Sequence, residues 1–234
     1  MHQRKSKKIL IYFFLFLLIG SINNKSLNNL ELAKIKFVNI SGLDEFENSS
    51  LLKQIKNQNL DNIFFINKNK LKKIFDKNTL IENYNIFKVY PYGLNIEIIK
   101  TTFLAKINFE GQIYLIGTNG KLTKKYSGSN SLPFIFGKPD INEFLELKKI
   151  IDQSQLSFSQ IKKLYFFPSK RWDLEIQDNI LIKLPNYHIK DSLNYAYEFL
   201  NNNKEIKFKT IDIRVKDQII LNDWARRFRG IFIF

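Results

Sequence analysis

The chain has no cysteine. Disulfides, thiolate nucleophiles, Cys-ligated zinc and iron–sulfur clusters are therefore excluded. Its two histidines, His2 and His188, are too few for a multi-histidine metal site. Glycine is sparse, at nine in 234 residues. None of the glycine patterns that cradle phosphate or expose a nucleophile is present: no G-x-G-x-x-G, no G-K-S/T, no G-x-S-x-G. Paired carboxylates such as Asp44, Glu45 and Glu47 read as loop residues; a glycosidase would need two carboxylates facing each other across a cleft, an arrangement that sequence alone does not place. His188 reads as a surface-loop residue, because no nucleophile or orienting acid is identifiable beside it. The expectation is no catalytic residue, no metal, no cofactor and no small-molecule substrate.

What is present is lysine. The formal net charge is +15, with 37 Lys+Arg against 22 Asp+Glu, and only six of the 37 are Arg. Nucleic-acid readers favour arginine, whose planar fork pairs bidentately with phosphate and guanine. Here Lys rises together with 26 Asn and 34 Ile, the mark of a compositional bias rather than of a binding surface. Nucleic acid is therefore not expected as a partner. Apolar residues make up 44% and aromatics 15%, with Phe 22 and Tyr 10. Such a chain buries real cores and is not a disordered tail.

Residues 1–8 carry Arg4, Lys5, Lys7 and Lys8, and an uncharged apolar run of 14 residues follows from Ile9 to Ile22. Two readings fit. A signal peptide has a basic start and a short apolar core, but Gly20-Ser21-Ile22-Asn23 offers no Ala-x-Ala cleavage site. A membrane anchor needs about 20 apolar residues to span about 30 Å of hydrocarbon, and a helix continuing past Lys25 supplies part of that. The anchor is preferred, as a transmembrane helix over 9–24 after a cytoplasmic segment 1–8. Either reading exports the remainder, since basic residues stay on the cytoplasmic side.

Along the exported part, residues 35–40 alternate as a strand, and Ser49–Ile55 and the stretch after Asn67 read as helices. Residues 61–66 link them, with apolar side chains plugging the core. Strands over 84–89 and 94–98 flank the turn Tyr90-Pro91-Tyr92-Gly93. The order is β-α-α-β-β. Beyond residue 102 the chain becomes β-rich. A hairpin turns at Glu110-Gly111, Asp140-Ile141-Asn142-Glu143 is a capping-box pattern, and a helix covers 190–202. The last strands are 210–215 and 218–221. No internal repeat is visible.

In order and spacing these segments resemble the FtsQ/DivIB family of bacterial division proteins. Phe37-Val38-Asn39-Ile40-Ser41-Gly42 is similar to the family's V-x-V-x-G strand, and Asn62-Ile63-Phe64-Phe65-Ile66 to its N-I-F segment. Lys88 to Ile96 resembles R-x-W-P-x-x-L-x-I. Gly111 to Gly120 resembles Y-L-I-D-x-x-G, Leu132 to Gly137 resembles L-P-x-L-x-G, and Ile211-Asp212-Ile213-Arg214 resembles the D-L-R strand. The chain departs from the pattern at Lys100 and Phe103, where the family has Glu-x-x-Pro, and at Tyr90 and Gly117.

The resemblance implies an α+β protein: a transmembrane helix, a POTRA domain over 34–101, a mainly antiparallel β-domain with helices over 102–223, and a tail over 224–234. It implies a non-enzymatic divisome scaffold in the bacterial inner membrane at the septum, with its bulk in the periplasm. It also implies FtsB and FtsL as partners, with other divisome components contacting the POTRA domain. By that likeness the partner adds a strand at the C-terminal edge, over Ile211, Asp212, Ile213, Arg214, Val215, Ile219 and Leu221. Arg214 is placed to pair with a partner carboxylate. Alternation equally allows Ile211 and Ile213 to face the core. Another POTRA-bearing protein of secretion or outer-membrane assembly, or a periplasmic enzyme, is the alternative. The tail, with three Arg among aromatics, fits a membrane surface, a partner or an added strand.

Overall fold

A computed structural model describes residues 3–22, 34–58, 62–124, 131–203, 209–216, 218–222 and 229–233. The chain forms two compact units. The first comprises residues 1–77 and 84–98, the second residues 78–83 and 99–234.

Helix α1 runs Gln3–Ile22. Every side chain from Ile9 to Ile19 is exposed, between 47% and 73%, so the helix is apolar all round. Where a transmembrane helix is expected, no described helix is long and apolar enough to cross a membrane. The physical reason is composition: basic residues occupy the first two turns of α1 and leave only the run from Ile9 to Ile22.

The first unit has the expected β-α-α-β-β order: β1 (Phe37–Ser41), α2 (Glu45–Lys56), α3 (Lys68–Lys77), β2 (Ile81–Val89) and β3 (Gly93–Lys100), with residues 81–83 of β2 and 99–100 of β3 counted in the second unit. The sheet order is β1-β3-β2, with β1 parallel to β3. Helix α2 starts four residues before the expected Ser49. Asp44 holds the extended cap position, and Glu45 and Glu47 sit in the first turn, where carboxylates suit the helix dipole. These acids are therefore helix-start residues and not loop residues. Ser49 donates its hydroxyl back to the Glu45 and Phe46 carbonyls, 2.9 Å each, and is helix interior. Leu51 and Ile55, four apart, are buried. Asn67 does cap α3, its Oδ1 accepting from the Lys70 N–H at 3.2 Å, and Leu71 and Phe75 fill the core below. Of the apolar linker only Ile63 is buried; Phe64 and Phe65 stay outside.

The second unit is built on one ten-stranded sheet. Its strands are β4 (Phe103–Phe109), β5 (Gln112–Gly117), β6 (Leu122–Lys124), β7 (Phe134–Phe136), β8 (Ile161–Phe166), β9 (Trp172–Ile176), β10 (Leu181–Lys183), β11 (Thr210–Asp212), β12 (Gln218–Asn222) and β13 (Arg229–Ile233). The spatial order is β13-β12-β11-β10-β9-β8-β7-β4-β5-β6. Hairpin neighbours are antiparallel. The parallel pairs β7/β8 and β10/β11 are each joined through a helix, α4 (Ile141–Asp152) and α5 (Ile189–Asn202), because a parallel return needs a crossover. β7 also lies parallel to β4.

Helix α4 opens on the capping box the sequence predicts, Asp140 with Glu143. It buries Phe144, Leu147 and Ile151; α5 buries Leu193, Ala196 and Phe199. These side chains share one core with Ile135, Leu164, Leu174, Ile182 and Ile211 of the sheet. Segment 78–83 is clasped to this unit by polar groups. Thr101 and Thr118 donate hydroxyls to Glu82 Oε2, and Asn119 Nδ2 donates to the Thr79 and Ile81 carbonyls at 3.0 and 2.9 Å.

Candidate functional site

The candidate site lies at the β11–β12 end of the large sheet. Three charged residues face one another across three strands: Asp173 on β9 pairs in register with Lys183 on β10, which pairs with Asp212 on β11. An arginine closes each end of this ladder. Arg171 Nε donates to Asp173 Oδ1 at 3.2 Å. Arg214 grips Asp212 bidentately, Nε to Oδ1 at 2.8 Å and Nη2 to Oδ2 at 2.5 Å.

Burial sets the titration of the two acids apart. Asp173 is only 3% exposed. Desolvation pushes its carboxyl above the usual range, against the pull of Arg171, Lys183 and Arg214. Asp212 also feels desolvation, but hydrogen bonds from the Arg214 side chain and backbone, with the Arg214 and Lys183 charges, outweigh it and hold the carboxyl low. Arg214 is in turn held more firmly protonated by Asp212.

The expected interface residues divide into two groups. Ile211, Ile213 and Ile219 are buried in the core, and Leu221 packs half-buried against it. Arg214 and Val215 are exposed, and they lie outside any strand. β11 stops at Asp212 because that side chain accepts the Arg214 backbone N–H at 3.2 Å, an Asx-type turn that ends ladder pairing. The fork of Arg214, expected to meet a partner carboxylate, is engaged by its own Asp212.

Beside this turn is an open groove of about 420 Å³, lined by Tyr187, His188, Tyr195, Arg214, Val215 and Ile219 among others. Tyr187 and Tyr195 escape a sequence reading. Tyr195, 53% exposed, flanks the α5 face that buries Leu193, Ala196 and Phe199, and nothing local tells a groove-lining aromatic from a solvated one. His188 precedes α5 in a left-handed conformation, with Asp191 Oδ2 4.0 Å from its Nδ1, and both are exposed. Among the described residues no group of three or more His, Cys, Asp or Glu is placed to hold a metal.

The outer strand is the tail. β12 pairs on its far side with β13, antiparallel, in the register Gln218↔Ile233 to Asn222↔Arg229. Of the three uses open to the tail, the described part of it adds a strand. Residues 223–228 lie outside the described residues.

Two consecutive family models match the chain. "POTRA domain, FtsQ-type" covers residues 33–100, and "Cell division protein FtsQ/DivIB, C-terminal" covers residues 105–214. Cell division protein FtsQ of Bradyrhizobium diazoefficiens is 21% identical over 163 residues, 68% of this chain and 48% of that protein. Cell division protein DivIB of Staphylococcus aureus is 26% identical over 151 residues, 62% of this chain and 34% of that protein. The match thus spans about half and about a third of those relatives. Cell division protein FtsQ of Rickettsia felis is 22% identical over 199 residues, 82% of this chain and 73% of that protein. Among solved structures, the major extracytoplasmic domain of the trans isomer of DivIB from Geobacillus stearothermophilus aligns with 46% of this chain and 98% of that domain, at a TM-score of 0.33 and 14% identity. With a POTRA unit of the FtsQ type followed by the family's own C-terminal domain, the chain belongs to the FtsQ/DivIB family of cell division proteins.

Proposed function

We propose that this protein is a non-enzymatic scaffold of the bacterial division machinery, held in the inner membrane at the septum, with its two units in the periplasm. The observation that carries the reading is the succession of the two family domains, over residues 33–100 and 105–214. Helix α1 supports the anchor. A helix apolar on every side needs an apolar environment, and Ile9 to Ile19 face outward all round. Its apolar run is about 21 Å long at 1.5 Å per residue. Local thinning of the bilayer and the flanking lysines make up the remaining span. Basic residues 4, 5, 7 and 8 keep the short end cytoplasmic.

The C-terminal end of the large sheet recruits the FtsB/FtsL pair by strand addition, and the POTRA unit contacts other divisome components. The incoming strand takes the outer side of β12 and displaces β13, which holds that side by one ladder only. The groove beside Arg214 and Val215 receives the partner's side chains. Val215 is 48% exposed and outside the core, so Val215→Glu leaves the fold intact. Pull-down of an FtsB-type periplasmic segment by the detergent-solubilised chain should fall about thirtyfold, the size of a hot-spot loss of about 2 kcal/mol. Wild-type recovery of that segment would remove the groove from the interface.

A further inference from the structure

One end of the first unit carries exposed aromatic side chains from three separate segments. Phe37 opens β1, Tyr90 and Tyr92 lie in the β2–β3 turn, and Phe64 and Phe65 lie between α2 and α3. They form a belt rather than scattered singles. The Phe37 and Tyr92 rings are 6.2 Å apart, edge to face, and the Phe64 and Tyr90 rings are 5.6 Å apart. All five are exposed, Phe65 at 85%. None of them fills the core, which Ile63, Leu71 and Phe75 complete without them.

Lysines border these rings. Lys36 Nζ lies 4.7 Å over the Tyr92 ring, and Lys88 Nζ donates to the Phe64 carbonyl at 3.2 Å. Stretches 34–37, 62–70 and 87–93 together contain five lysines and no Asp or Glu. All five, Lys34, Lys36, Lys68, Lys70 and Lys88, are exposed. A protein-facing patch would carry mixed charge or a satisfied polar rim. Exposed aromatics ringed by cations of one sign match a headgroup layer instead, where amphipathic rings settle and lysines meet anionic lipid.

The belt is also the end at which the chain enters the unit. Lys36 donates its backbone N–H to Tyr92 at 2.9 Å, only 14 residues after the last residue of α1. Those 14 residues reach at most about 50 Å. A surface tethered that close sees lipid at high effective concentration, so weak contacts suffice. We propose that this aromatic–lysine end of the first unit rests on the periplasmic surface of an anionic bilayer. This inference adds to the anchor reading and rests on it.

The lack of cysteine makes the test direct. Phe65→Cys, spin-labelled in the full chain, is reconstituted in phosphatidylcholine–phosphatidylglycerol vesicles. Its relaxation by an aqueous nickel chelate is compared with that by oxygen. Phe46→Cys is the control: Phe46 is 83% exposed on α2, which follows the opposite end of β1. The expected result is loss of nickel relaxation at position 65 but not at 46. Relaxation returns in pure phosphatidylcholine vesicles and in the Lys36→Glu/Lys88→Glu variant. Nickel relaxation at 65 as full as at 46 overturns the inference. Equal shielding at 65 in both lipid compositions also overturns it, in favour of a protein contact. Failure of the anchor is distinct, because the chain then separates from the vesicles on flotation.

Discussion

Gly42→Ala is expected to unfold the first unit while leaving the second protected. Gly42 follows β1 at φ +108°, a backbone conformation that L side chains rarely adopt. A Cβ there would lie 1.9 Å from the Ile98 carbonyl oxygen and 2.8 Å from its carbon. Both are backbone atoms of β3, so no rotamer change relieves the clash. Strain and overlap together put the cost at about 3 kcal/mol or more, a large share of a small domain's stability.

Gly137 repeats the arrangement in the second unit. It follows β7 at φ +99°, and a Cβ there would meet the Phe166 oxygen at 2.3 Å. Gly137→Ala should therefore do to the second unit what Gly42→Ala does to the first. Gly111 separates the two causes: its φ is +81°, but nothing lies within 4 Å of an added Cβ. Gly111→Ala should cost only the backbone term, about 1–2 kcal/mol. Hydrogen exchange on the intact chain reads all three. Loss of protection over 37–41 and 93–98, with 161–184 unchanged, is the outcome for Gly42→Ala. Unchanged protection in the first unit would refute the steric account.

Deleting residues 229–234 is expected to tighten binding of the FtsB-type segment about tenfold, or ~1.4 kcal/mol. β13 occupies the outer side of β12 over five residue pairs, and it is joined to β12 through residues 223–228. A strand on so short a tether competes at an effective concentration in the millimolar range. Its removal frees the N–H and C=O groups of β12 that an added strand must pair. Calorimetric titration of the segment into the full and shortened chains measures the change. Weaker binding by the shortened chain would contradict displacement and make β13 itself the docking strand.

The element order was legible because periodicity and caps are local. Leu71 and Phe75 at helical spacing, Asn67 ahead of them, and Asp140 with Glu143 each carry their own signal. The motif glycines were legible as motifs, but their reason was not: Gly42 faces Ile98, more than fifty residues away in sequence. Sequence places the start of α2 at Ser49 because serine both caps and back-bonds; the i−4 and i−3 carbonyls that take its hydroxyl show the second use. Alternation runs on through Val215, while the strand stops at Asp212, whose side chain takes the Arg214 backbone N–H out of the ladder. The groove was invisible to pattern reading. It joins the start of α5 to the β11–β12 turn, and only the crossover that makes β10 and β11 parallel brings them together. The geometry at Arg214 depends on the same fold, since Asp212, two residues earlier, grips its fork.

The measurement that tests the central claim most directly is depletion of this protein in its own cells, followed by microscopy of the septum. The account predicts that depleted cells elongate without completing septa, and that the full chain restores division. Normal division in cells cleared of the protein would contradict it.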